Sequence, residues 1–559
     1  MKLFYGCLLL LFASVPPTSA APQPAVHGAV ATVNLLATEA GMEALQSGGN
    51  AVDAAIAAAL TLNVVDPQNS GLGGGCFFLI RLRDGSFVAI DGREEAPGAA
   101  TRDMFLRDGK ADTHLSQFGA LAIAVPGALA AYDHASRHYG QMPLARHLET
   151  AATLAANGFE VSPALSARLK EHAMDLQRFP ASRALMLHEN GTPWMAGDRW
   201  VQPTLAKSFR AIAENGSSWF YEGPFASATA QWMKENGGLV TAADFKNYQL
   251  KLRQPVRTTY RGFEIVGFPP PSSGGVHVAQ ILNILEAFDL KRLGAGSPEF
   301  IHVVAEAMKL AFADRAHWLG DPGFSNVPRG LVSKEYARQL AKKIDLKQAM
   351  HGVEHDTPAG AADDLFSKHT THFSTADASG CWVACTATIN TSFGSKVMIP
   401  DTGILMNNEM DDFALQPGVA NFFGLVGAEA NAVAAGKRPL SSMSPTVLLH
   451  DGKPVLSVGA AGGPTIISQT LLAILYTVDF GMPIQKALAM PRFHHQGQPD
   501  ELRIEQSVPE KTRRELQKRG HRLVVVGSLG AAQAVSFDAK AGGFNGVSDP
   551  RGAGQGKAF

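Results

Sequence analysis

Three pairs of short apolar segments, each closed by a tight polar turn, set the firmest limit on how this 559-residue chain can fold. Cys76 to Leu82 and Phe87 to Ile90 flank Asp84-Gly85. His372 to Thr375 and Val383 to Thr391 flank Asp377-Ala378-Ser379-Gly380, and Thr446 to His450 and Val455 to Val458 flank Asp451-Gly452. Such turns take the backbone conformations a hairpin needs. Hairpins build antiparallel sheet, not a doubly wound parallel one.

Helical patterns surround these pairs. Thr38 to Gln46 reads as a helix stopped by Gly48-Gly49. Asn50 then caps Ala51 to Val65, with Asp53 in a capping-box position. The middle third reads as mostly amphipathic helix: Gly127 to His138, Leu144 to Ala156, Phe225 to Glu235, Val276 to Phe288 and Phe300 to Trp318. Helices are also expected at Ile466 to Phe480 and Pro509 to Arg519. Strands between helical layers predict a sandwich of two antiparallel sheets. Met350 to Ser367, poor in apolar residues, reads as an exposed linker that ends close to Thr370.

A formal net charge of -1 offers no electrostatic footprint for nucleic acid or an anionic membrane. Apolar content of 46% with 18% charged residues fits an ordinary globular chain. Lys2, the apolar run Leu8 to Val15 and Thr18-Ser19-Ala20-Ala21 have the three parts of an export signal, so residues 1–21 are expected to be removed. No later segment is long and apolar enough to span a membrane. The expected location is periplasmic or secreted. Cys76, Cys381 and Cys385 lack metal-ligand spacing and read as core cysteines.

Several polar groups invite a chemical reading, each with a plainer alternative. Gly71-Leu72-Gly73-Gly74-Gly75 follows a helix and precedes a strand, the reverse of a phosphate-binding loop, so a close-packed turn is expected. Arg93 is either a surface ion pair or a clamp for a substrate carboxylate. Glu409, Asp411 and Asp412 either form a solvated turn after a strand at Ile404 to Met406 or hold a substrate ammonium. Ser441-Ser442 is a helix cap or turn, or a pair of hydroxyl donors. Gly462-Gly463 is a turn or an oxyanion hole. His494-His495 reads as polar surface or as support for a site, without a ligand role. Thr370 opens a strand, but a threonine needs a base, and an internal threonine has no free α-amine to serve as one.

Taken together, these segments resemble the γ-glutamyltransferase family of N-terminal-nucleophile hydrolases. The resemblance runs through Gly48-Gly49-Asn50-Ala51-Val52-Asp53, Asp91-Gly92-Arg93-Glu94, Pro270-Pro271-Ser272-Ser273-Gly274-Gly275 and Ala313-Asp314-Arg315. It continues through Thr370-Thr371-His372, Asn407-Asn408-Glu409-Met410-Asp411-Asp412 and Arg438-Pro439-Leu440-Ser441-Ser442. It implies an α+β fold, a four-layer αββα sandwich, formed jointly by two fragments of one self-cleaved precursor. Cleavage between His369 and Thr370 would give a large subunit (22–369) and a small catalytic subunit (370–559), intertwined in one domain.

The resemblance also implies roles. Thr370 would attack the γ-glutamyl amide of glutathione or a related compound, and the acyl group would pass to water or to an amino acid or peptide acceptor. Arg93, Ser441 and Ser442 would bind the donor's α-carboxylate, and Asn390, Glu409 and Asp412 its ammonium. Thr388 would bond the nucleophile's amine, Gly462 and Gly463 would stabilise the oxyanion, and Phe423 would lie on a lid where members often carry tyrosine. No metal or cofactor is implied. A related glutaryl or cephalosporin acylase, and a non-catalytic γ-glutamyl-binding protein, are the alternatives.

Overall fold

Two antiparallel sheets form the centre of the computed structural model, which describes residues 25–359 and 372–559. The first sheet has the order Gln555–Ala558, Gly28–Thr32, Phe373–Asp377, Trp382–Thr388, Gly75–Arg81, Phe87–Gly92, Lys251–Arg253. The second runs Gly543–Ser548, Ala531–Asp538, Lys453–Ala461, Thr446–His450, Phe263–Gly267, Val256–Tyr260. Each sheet therefore mixes strands from before and after position 370.

Alternation along each strand explains the layers. In Gly75–Arg81, Phe77 and Leu79 join Val266, Val447 and Leu449 of the second sheet in a shared inter-sheet core. Cys76, Phe78 and Ile80 point the other way, into a core built with the helices Ala51–Val65 and Ala128–Tyr139. On the far side of the second sheet, Leu448, Leu456 and Val458 pack with the helices Ser273–Leu285, Pro298–Trp318 and Thr465–Val478. The result is the expected αββα sandwich of class α+β.

The predicted hairpins form as Gly75–Arg81 with Phe87–Gly92, Phe373–Asp377 with Trp382–Thr388, and Thr446–His450 with Lys453–Ala461. Asn50 caps its helix through a full capping box with Asp53. The Asp53 carboxylate also accepts the amides of Gln141 (2.8 Å) and Met142 (3.0 Å), which ties this helix to the loop between Ala128–Tyr139 and Leu144–Asn157.

The middle third is mostly helical, as expected, with one unforeseen hairpin, Val256–Tyr260 and Phe263–Gly267, at the edge of the second sheet. Two expectations need correction. Ile404 to Met406 is not a strand, since Leu405 and Met406 make only isolated bridges, to Met398 and Gly73. His494 and His495 are not surface groups; they are 0% and 1% exposed, and His495 bonds Asp500 at 3.2 Å. Cys76, Cys381 and Cys385 are free and buried. Among the described residues no helix is long and apolar enough to cross a membrane.

Candidate active site

The glycine turn at 71–75 assembles the site by allowing backbones to meet. A Cβ on Gly74 would fall 1.9 Å from the Thr388 carbonyl oxygen, and one on Gly73 would fall 2.1 Å from that of Leu405. Only hydrogens fit there, so the end of the strand Trp382–Thr388 and the segment leading to Glu409 both press on the turn. Asn407 locks the arrangement: its amide donates to the Gly73 carbonyl (2.7 Å) and its oxygen accepts the backbone N–H of Glu409 (3.0 Å).

A small cavity of about 70 Å³ opens where these segments converge. Thr388, Asn390, Glu409, Asp412, Phe423, Ser441, Ser442, Gly462 and Gly463 all line it, nine residues chosen from sequence alone and drawn from five separate stretches. Asn69, Leu425, Ala461 and Ile466 complete the wall; nothing in their own segments marks them, because only the three-dimensional meeting of loops brings them there. His369, Thr370 and Thr371 lie outside the described residues.

Arg93 stands behind the wall. It is 0% exposed, so the surface ion-pair alternative does not hold. Its guanidinium pairs with Glu409, with Asp412 at 2.8 Å and with Glu94 at 3.5 Å. Three buried carboxylates thus share one buried cation. Burial, only partly offset by Arg93, pushes the Glu94 carboxyl up to about 7, and it raises Glu409 and Asp412 above the usual carboxylate range. One oxygen of Glu409 has no hydrogen-bond partner among the described residues. The solvated-turn alternative for these acids is excluded by their burial. Asp411 serves structure instead, accepting from Ser116 (2.6 Å) and from the backbone of Phe422 (3.0 Å).

The other groups are set with their polarity defined. Thr388 Oγ1 accepts the Asn390 backbone N–H at 2.7 Å, which leaves the hydroxyl proton to donate elsewhere. Asn390 sits at φ 73° and gives its side-chain amide to the Asn408 carbonyl at 2.9 Å. Ser441 is not a helix cap: its backbone bridges to Ser272.

Gly462 (φ 128°) and Gly463 (φ 58°) end the strand Lys453–Ala461 and lead into the helix Thr465–Val478. Neither amide N–H meets a protein acceptor among the described residues. Donors at the start of a helix suit a negative charge. Phe423 covers them closely, for a Cβ on Gly463 would fall 2.5 Å from its ring.

His372 is buried at 1% exposed, bonds Ser374 (2.7 Å) and Thr386 (3.3 Å), and is held neutral, its pKa driven to about 3 by burial. Away from the site, His302, Glu306 and His521 bring possible metal-ligand atoms within 4.8 Å of one another. The Lys309 ammonium already sits 2.8 Å from Glu306 and supplies the cation that carboxylate needs.

The model of the gamma-glutamyltranspeptidase family matches residues 37–559. The chain belongs to that family. The glutathione hydrolase proenzyme of Escherichia coli (strain K12) is 44% identical over 533 residues, which cover 95% of this chain and 91% of the relative. The cephalosporin acylase structure from Bacillus halodurans superposes with a TM-score of 0.86 at 29% identity, covering 99% of each chain. A chain of Helicobacter pylori gamma-glutamyltranspeptidase superposes with a TM-score of 0.57 at 38% identity, and takes up 95% of that chain but only 60% of this one. That partial coverage suits a family whose members are cut into two subunits.

Proposed function

We propose that this family member is a self-processing γ-glutamyltransferase and glutathione hydrolase whose precursor cuts itself between His369 and Thr370. The new amine of Thr370 takes the proton of its own hydroxyl, and Oγ attacks the γ-carbonyl of glutathione or another γ-glutamyl compound. Gly462 and Gly463 donate to the oxyanion that forms, and Thr388 holds the amine. Collapse expels the leaving amine, protonated by the Thr370 ammonium. Water or an acceptor amine then attacks the ester and returns the proton to Oγ. Residues 22–369 and 370–559 act as the large and small subunits of one intertwined domain, exported after loss of residues 1–21.

The observation that carries this reading is the shortage of positive charge around Arg93. A glutamyl group is a zwitterion, so it supplies an ammonium for Glu409, Asp412 and Asn390 while its carboxylate takes Arg93, Ser441 and Ser442. A glutaryl group has no ammonium, so those buried acids would have only Arg93, which the donor's own carboxylate also claims, at a cost set by desolvation. This separates the reading from an acylase despite the likeness to a cephalosporin acylase. L-γ-glutamyl-p-nitroanilide should therefore be turned over with a kcat/KM about 100-fold above that of glutaryl-p-nitroanilide. Equal or better use of the glutaryl compound would make the protein an acylase.

A further inference from the structure

Four arginines are buried among the described residues: Arg93, Arg315, Arg438 and Arg492. Arg93 has its three acids, Arg438 pairs with Asp91 and Glu95, and Arg492 pairs with Asp549. Arg315, 5% exposed on the helix Pro298–Trp318, has no acid within ion-pair distance among the described residues. Its bonds go to two hydroxyls, Ser273 Oγ at 3.1 Å and Ser442 Oγ at 3.4 Å. Burial pulls its pKa down to about 10, with the field of Asp412 in partial opposition. A buried guanidinium without a carboxylate is costly and calls for an anion.

Space for that anion is present. Arg315 forms part of the wall of a second cavity, about 480 Å³, with His317, Glu354, Leu425, Gln496 and Gln498. Leu425 belongs to both cavities, and Ser442, which Arg315 touches, faces the first. The two spaces therefore abut. The second is large enough for a short peptide, and Glu354 is the single acid among its lining residues.

We propose that this second cavity is a carboxylate-binding subsite for the amino acid or short peptide that receives the acyl group, with Arg315 as its anchor. The inference rests on the transferase reading above. Every such acceptor carries a carboxylate, and its amine must attack the Thr370 ester. The new amide C–N bond forms, the C–Oγ bond breaks, and the amine's proton passes to Oγ. By reversibility the same subsite holds the departing peptide of the first half-reaction.

Transfer from L-γ-glutamyl-p-nitroanilide to glycylglycine and to glycylglycinamide tests the anchor, because the two acceptors differ in the carboxylate alone. Wild type should favour glycylglycine by about tenfold in acceptor kcat/KM. Arg315→Gln should bring that preference to about onefold, and Arg315→Lys should keep part of it. Gln498→Glu, on the exposed rim, adds a like charge and should reduce the preference severalfold even if the arginine variants fail to mature. A wild type without preference, or an Arg315→Gln or Gln498→Glu variant that keeps it in full, overturns the subsite. A wild type that releases no nitroaniline from the donor at all would instead count against the transferase reading itself.

Discussion

At the scale of single residues, the charge on Arg93 is shared too thinly to keep all its neighbours ionised. Glu94 is lifted from 4.5 to about 7 by burial, so the folded protein holds that proton more tightly than the unfolded chain does. The sign follows: its contribution to stability is full below the unfolded value and is lost as pH rises toward 7. Glu94→Gln should thus raise the melting temperature by a few degrees at pH 8 and change it little at pH 4, as thermal melts at both values would show. An opposite pattern would mean that Glu94 is ionised in the fold. In the proposed function a substrate ammonium meets Glu409 and Asp412 in their charged forms, and burial raises the pKa of both. The KM for a γ-glutamyl donor should climb as pH falls below neutrality, while the KM for a glutaryl donor stays flatter; parallel profiles would contradict the assignment of these acids to the ammonium.

At the scale of elements, the site is made by turns that hold strand ends together. Gly74→Ala must push the Thr388 carbonyl away and should cost about 3 kcal/mol of stability, with a larger loss of kcat than the same substitution at Gly48. Gly48 has nothing within 4 Å of its would-be Cβ, so denaturant titration of the pair separates packing from conformational strain. The turns are also where the sequence was most readable. Asp-Gly pairs and the reversed helix-to-strand order around Gly71 to Gly75 give the hairpins and the close-packed turn directly. Val256–Tyr260 and Phe263–Gly267 escaped because their turn is Arg261-Gly262, with Arg261 at an uncommon φ of 49°. His494 and His495 misled because adjacent polar rings look like surface, whereas Ser468, Gln496 and Asp500 satisfy them inside. Arg315 carried no local mark of its bare charge; only the lack of an acid within ion-pair distance among the described residues reveals it.

At the scale of the whole molecule, the two sheets draw strands from both sides of position 370. The first sheet places Phe373–Asp377 beside Gly28–Thr32, and the second places Thr446–His450 beside Phe263–Gly267. A cut before Thr370 therefore leaves the fragments hydrogen-bonded through both sheets. They should co-elute on size exclusion in native buffer and separate only on denaturation, as bands of about 37 and about 20 kDa by proportion of the 59.2 kDa chain. The Thr370→Ala chain should remain one inactive band. Maturation of Thr370 into an N-terminus underlies everything proposed for the site. N-terminal sequencing of the smaller fragment of the purified protein should read Thr-Thr-His-Phe-Ser, beginning at Thr370; a first residue anywhere else, or a chain that is never cut, would overturn that maturation.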